Sequence, residues 1–160
     1  MYMKNFSSDL KEVLIFAAQN GYASEDVEKN AEPNGSVSIR LQRGDWLVHD
    51  NYFTSEDGRC YYGSVVAYLA DKAMWFCGYS GFVDEGGDPN EIYAFLKKAM
   101  LLPDPDFPVR GPWDFTDGIW GYHYEKTDPS STLERFETRE TITQDGRQVY
   151  EGVFYGGGLT

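Results

Sequence analysis

Glu140 and Glu151 are the side chains whose placement points most directly to acid–base chemistry. They flank Gln144-Asp145-Gly146-Arg147, and Asp-Gly accepts the positive φ values that a two-residue hairpin turn demands. With Asp145-Gly146 as the turn, Glu140 falls opposite Glu151. Like charges facing each other across a sheet are destabilising. The offset must come from Arg139 or Arg110, a shared proton, a bound cation, or a three-residue loop that shifts the register. A shared proton would raise one pKa and create an acid/base pair. His49 is the remaining candidate for a catalytic acid or base.

Cys60 and Cys77 are the only cysteines. In a regular hairpin Cys77 pairs with Val66, six residues along from Cys60. That separation is roughly 20 Å at about 3.3 Å per residue, beyond the reach of a disulfide. Free thiols are therefore expected. A Cys77–His49 nucleophile is disfavoured, because the two sit two strands apart at roughly 10 Å. Two thiols and two histidines match no zinc-ligand spacing, so neither a metal site nor a cofactor is expected. His123, within the aromatic run Trp120 to Tyr124, reads as a half-buried strand residue. Arg110-Gly111-Pro112-Trp113 places a guanidinium beside a ring, suited to an anionic ligand or to clamping a sheet edge. Gly156-Gly157-Gly158 is no phosphate loop, since neither Lys-Ser/Thr nor a helix follows.

The elements that carry these residues are readable. Residues 6–20 form a helix capped by Asp9 with Glu12 three residues on, and its stripe is Phe6, Leu10, Val13, Leu14 and Ala17. Tyr22 to Gly35 is a polar linker. Residues 36–79 form a four-stranded meander, turning at Glu56-Asp57-Gly58-Arg59 and at Ala70-Asp71-Lys72-Ala73. Residues 88–102 are a second helix, with Asp88 as N-cap, Pro89 at N1 and Glu91 at N3. The Pro-rich stretch Pro103 to Pro112 follows in extended form, and residues 113–155 supply the C-terminal strands. The expected fold is α+β: one domain over 1–160, a meandering antiparallel sheet of about seven strands in the order α-β-β-β-β-α-β-β-β, and two main helices packed on it.

The turns also draft a register. With Asp57-Gly58 central, Tyr62 faces Phe53, Ser64 faces Asn51 and Val66 faces His49. With Asp71-Lys72 central, Ser64 faces Tyr79, Val66 faces Cys77 and Tyr68 faces Trp75. His49, Asn51, Tyr62, Trp75 and Tyr79 then share one face with Leu47, Phe53 and Tyr68. Trp46, Val48, Asp50, Tyr52, Val65 and Phe76 share the other, which suits helix packing. The first face is either a cleft wall of polar-tipped rings or ordinary core, and a one-residue slip would swap the two. The expected ligand-binding residues are Tyr62, Trp75, Tyr79, Asn51, Arg110 and Trp113.

Composition bounds the function. With 26 Asp+Glu against 14 Lys+Arg, the formal net charge is −12, which disfavours nucleic acid and anionic membranes as partners. The longest apolar run, Val13 to Ala18, is far short of a membrane span of about 20 residues, and the first residues lack a signal-peptide core. Cytoplasmic residence is the expectation.

Several segments together resemble an uncharacterised bacterial family, a domain of unknown function. They are Gly44-Asp45-Trp46 with Asp50, Tyr62-Gly63, Trp75 through Tyr79 to Gly81, Arg110-Gly111-Pro112, Glu140, Val149-Tyr150-Glu151 and Phe154-Tyr155-Gly156-Gly157. The resemblance implies a domain found free-standing or C-terminal to helix-turn-helix regulators, and hence a sensing or interaction role. It carries no catalytic residues. The leading expectation is a non-catalytic domain that senses a small ligand or binds a protein partner. The alternatives are a small acid/base enzyme using a carboxylate pair, and an acidic inhibitor or immunity-type protein that binds a basic partner.

Overall fold

The computed structural model describes residues 3–160 as two helices and nine strands in one antiparallel sheet. The elements are α1 (Met3–Asn20), β1 (Asn30–Ala31), β2 (Val37–Arg43), β3 (Trp46–Thr54), β4 (Cys60–Leu69), β5 (Lys72–Val83), α2 (Pro89–Met100), β6 (Asp114–Asp117), β7 (Trp120–Lys126), β8 (Arg135–Gln144) and β9 (Arg147–Gly158). The strand order is β1-β2-β3-β4-β5-β9-β8-β7-β6. Two meanders therefore meet at the β5–β9 seam, after α2 has carried the chain to the far edge. The α+β class stands. The expected seven strands become nine, because the two-residue β1 and four-residue β6 are too short to leave a periodic signal.

Helix α1 begins upstream of the expected cap, so Asp9 and Glu12 lie inside it. Phe6 packs on Trp46 with ring centres 5.8 Å apart, giving the extra turn a tertiary anchor that local capping chemistry does not show. Helix α2 starts as expected: the Asp88 side chain accepts from the Asn90 amide, and Pro89 opens the helix. Its stripe is Ile92, Phe95, Leu96, Ala99 and Met100. Phe95 stacks on Phe115 and Trp120, at 5.6 and 5.5 Å.

Two β-bulges decide which side chains face the helices. The β3–β4 register matches expectation, with Phe53 opposite Tyr62, Asn51 opposite Ser64 and His49 opposite Val66. The turn before β5 centres on Ala70-Asp71, both at positive φ, one residue earlier than expected. That change alone leaves the faces intact. A bulge at Met74 then shifts the ladder, so that Ala67 faces Trp75, Val65 faces Cys77 and Gly63 faces Tyr79. Because side chains alternate, an extra residue moves Trp75, Cys77 and Tyr79 to the helix-covered face.

The same event recurs in the last hairpin. Asp145 and Gly146 form the expected two-residue turn, at φ 51° and 76°. A bulge at Val149 then sets Glu140 opposite Gly152, and Thr141 opposite Glu151. The expected Glu140–Glu151 pairing does not form, and the two carboxylates point to opposite faces.

The covered face holds Ile39, Val48, Trp75, Phe136, Ile142 and Phe154 as core. The other face is open and leaves Phe53, Tyr62, Phe82, Val153 and Tyr155 exposed. Among the described residues no helix is long and apolar enough to cross a membrane.

Candidate functional site

A cleft opens on the covered face, in the gap between α1 and α2. Its deeper, mostly apolar lobe of about 90 Å³ reaches Leu14, Val65, Cys77, Met100 and Phe154. The outer lobe, about 200 Å³, is walled by Tyr22, Tyr52, Tyr61, Tyr79 and Tyr93, with Lys29 and Thr54 at the rim. Tyr22, Asp50, Tyr79 and Arg110 line both lobes. The rings need space at the sheet surface, which glycine gives them: a Cβ on Gly81 would run into the Tyr61 ring.

One end of the cleft is a buried charge network. Glu140 is fully buried, with 0% of its surface exposed. Arg110 Nε donates to both its oxygens, at 3.1 and 3.0 Å, and Nη2 adds a third bond at 3.0 Å. Tyr122 donates to Oε2 at 2.7 Å and Tyr150 to Oε1 at 2.8 Å. Tyr61 joins through a short bond with the Tyr150 hydroxyl and accepts from Arg110 Nη2 at 3.1 Å. Burial and the Glu140 charge push the Tyr122 and Tyr150 hydroxyls well above their ordinary range, so both stay protonated donors. Burial opposes the Arg110 charge, but Glu140 and the tyrosines outweigh it and raise its pKa. Glu140 is thus saturated by donors and holds a cation in place. Its neighbour Gly152 leaves the room, since a Cβ there would sit 2.9 Å from Oε1.

Asp50 is the counterpart with little compensation. It lies on the cleft floor, and among the described residues the only hydrogen bond to its carboxyl is a short one from the Tyr79 hydroxyl. Among the described residues it has no ion pair. Burial raises its pKa to about 6 against the lowering effects of that bond and of Arg110 and Lys29. The Tyr79 hydroxyl, buried beside this carboxylate, is raised far above the phenol range. Arg110 Nη1 makes no hydrogen bond among the described residues, and neither does the second Asp50 oxygen. Among the described residues Arg139 Nε, which faces Glu151, is the one buried side-chain nitrogen or oxygen without a hydrogen bond, so those two atoms are not sealed in, and their residues line the cleft.

The expected site residues divide between the faces. Tyr79, Arg110 and Glu140 come together at the cleft. Trp75 lines the deeper lobe, stacked on Phe136 at 5.5 Å with its indole N–H on the Leu133 carbonyl. Trp113 stacks on Tyr124 at 5.4 Å and on Phe107 at 5.7 Å, while Arg110 lies over Phe154 instead, at 4.9 Å. Glu151, on the open face, pairs with Arg139 at 3.3 Å. His49 faces Ser38 at 3.2 Å, its pKa lowered by burial and Arg40. Asn51 is held by Ser36, Ser38 and the Val37 carbonyl, and Tyr62 is 61% exposed.

Sequence reasoning did not single out Asp50, Tyr22, Lys29, Tyr52, Tyr61 or Tyr93 as cleft residues. Asp50 did leave a signal: a carboxylate drafted onto the helix-packing face among Val48, Tyr52 and Val65. Cys60 and Cys77 are free thiols, and burial raises the Cys77 pKa to about 12. His123 is exposed and contacts Asp114 at 2.8 Å. Among the described residues no three His, Cys, Asp or Glu side chains converge as a metal site.

No curated protein and no solved structure shows significant similarity to the chain. Residues 50–159, running from the cleft carboxylate through β9, match the family described as "Domain of unknown function (DUF5680)", and the chain belongs to that family.

Proposed function

We propose that this chain is a non-catalytic binding domain that holds a small organic ligand in the tyrosine-walled cleft between α1 and α2. The observation that carries the reading is the buried Arg110–Glu140 pair, fixed by three tyrosines at the wall of an open cleft. Such a network is costly to desolvate and is weak evidence for stability. It does orient a guanidinium edge toward a cavity with an unpaired carboxylate, the mixed apolar and polar lining expected of a ligand site. A sensing domain of this kind also suits the expected placement behind helix-turn-helix regulators in a bacterial cytoplasm.

A thermal-shift screen against small organic ligands tests this. A ligand at a hundred times its dissociation constant adds about 2.7 kcal/mol, or roughly 5–10 °C for a chain of this size. Shifts should vanish in Thr54→Trp, which fills the rim. Shifts that persist in that variant, or none across the library, would refute a cleft ligand; uniform silence would favour a basic protein partner.

A second reading has its own support in Asp50. A carboxyl titrating near 6 beside a tyrosine hydroxyl is suited to general acid–base work. Glu140 is not, because donors occupy both its oxygens. Turnover of a bound ligand that is lost in Asp50→Asn while binding persists would favour the enzyme.

A further inference from the structure

Two lysines stand over one ring that lines the cleft, Lys29 at the cleft rim and Lys97 in the adjoining surface groove that shares Tyr22 and Tyr93 with it. Lys29, from the loop before β1, has its ammonium 4.8 Å from the centre of the Tyr22 ring. Lys97, from α2, reaches the same ring at 5.0 Å. Among the described residues neither forms an ion pair, although the chain carries 26 acidic side chains. The next residue, Lys98, is paired, with Asp117 at 2.9 Å. Like charges brought to one ring repel, and Lys97 accordingly helps burial to lower the pKa of Lys29. The Tyr22 face offsets part of this as a cation–π partner, yet no carboxylate closes the pair.

The same ring also lines both lobes of the cleft. An anion held between Lys29 and Lys97 would therefore sit at the entrance to the space that ends at Asp50 and the open edge of Arg110. The walls between are tyrosine rings, which favour a flat partner. The outer lobe, at about 200 Å³, has room for one ring system and little more.

From this arrangement, and resting on the cleft being a ligand site, we propose that the ligand is a compact planar organic anion. Its carboxylate or phosphate is clamped by Lys29 and Lys97, its ring lies among the tyrosines, and a hydrogen-bond donor on the far side reaches Asp50. On a protein of net charge −12, this local positive mouth also selects against ligands without an acidic group.

The test is calorimetric titration of the intact chain with 4-hydroxybenzoate, phenyl phosphate, the neutral 4-hydroxybenzamide and inorganic phosphate. The clamp predicts that an acidic aromatic binds at least tenfold more tightly than the neutral amide, with a preference that shrinks at high salt. Which acidic probe leads decides between carboxylate and phosphate. The surface double variant Lys29→Gln/Lys97→Gln should weaken the acidic probe about tenfold and leave the amide unchanged. Equal binding of acid and amide, or an unchanged acid affinity in the double variant, would overturn the clamp while leaving the cleft as a site. Failure of every aromatic probe, with or without phosphate binding, would overturn the planar-anion ligand. Cleft binding itself is decided separately, by the screen with Thr54→Trp.

Discussion

Replacing Asp50 with asparagine should stabilise the protein at neutral pH. The side chain sits on the cleft floor with one hydrogen bond and no ion pair among the described residues, and its pKa rises from 3.8 to about 6. The native state thus binds the Asp50 proton more tightly than the unfolded chain does. Linkage then fixes the sign. The carboxyl costs nothing below the unfolded value of 3.8, the cost grows as pH rises through the interval, and it is complete above about 6. Two pKa units at about 1.4 kcal/mol each set that cost at roughly 3 kcal/mol at pH 7, falling to about 1 kcal/mol at pH 4.5. Asparagine keeps an acceptor for the Tyr79 hydroxyl and has no charge to desolvate. Urea unfolding of both proteins from pH 4.5 to 8 should show the variant's advantage growing up to pH 7 and then levelling. With slopes of about 1–3 kcal/mol per molar urea, the midpoint moves by about 1 M or more. A variant no more stable than the wild type at pH 7, or an advantage independent of pH, would refute the account of Asp50 as a carboxylate kept at a cost. A gain in stability accompanied by lost ligand binding would mark the residue as functional.

Glu140→Gln should do the opposite, because it leaves the Arg110 guanidinium buried without its counter-charge. A loss of about 3–5 kcal/mol is expected in denaturant unfolding, and Arg110→Met/Glu140→Leu should recover much of it; a loss under 1 kcal/mol would show the pair is not energetically coupled. Gly156→Ala should prevent folding or cost more than about 3 kcal/mol, since its Cβ would collide with the Phe76 carbonyl across the β5–β9 seam; native-like circular dichroism and an unchanged melting temperature would contradict this. Thiol titration of the native protein should modify Cys60 and spare Cys77, which is 3% exposed and has its pKa raised to about 12 by burial; rapid reaction of both thiols without denaturant would disprove that protection.

What was legible in the sequence follows from what local chemistry records. The α2 cap is written in Asp88-Pro89, and the β3–β4 register follows from the loop around Gly58, which takes φ 71°. The bulges at Met74 and Val149 are written nowhere comparable. Each adds one ordinary residue to a strand, without Gly, Pro or a turn signature, and each reverses the facing of what lies beyond it. That is why regular alternation puts Trp75 and Tyr79 beside Tyr62, and Glu140 opposite Glu151. The cleft suffered most, because it gathers residues from both sides of the first bulge: Asp50 and Tyr61 before it, Tyr79 after it. The Arg110–Glu140 bond joins a loop to a strand thirty positions away; residue types alone offer Arg110 as one of several partners for Glu140, and the assembled sheet selects it.

The β5–β9 seam has a consequence for synthesis. Strand β9 is the last of the nine in chain order, yet it lies inside the sheet, paired from Trp75↔Gly158 to Val83↔Tyr150. During translation the first meander can assemble once Val83 is clear, but its β5 edge then stays unpaired while α2 and three further strands are made. An open edge of this kind is a template for strand exchange and aggregation. The interval between β5 and β9 on the ribosome is therefore the nascent chain's most vulnerable period. Slow decoding between Arg147 and Gly158 would prolong it, and a chaperone that shields the β5 edge would protect it.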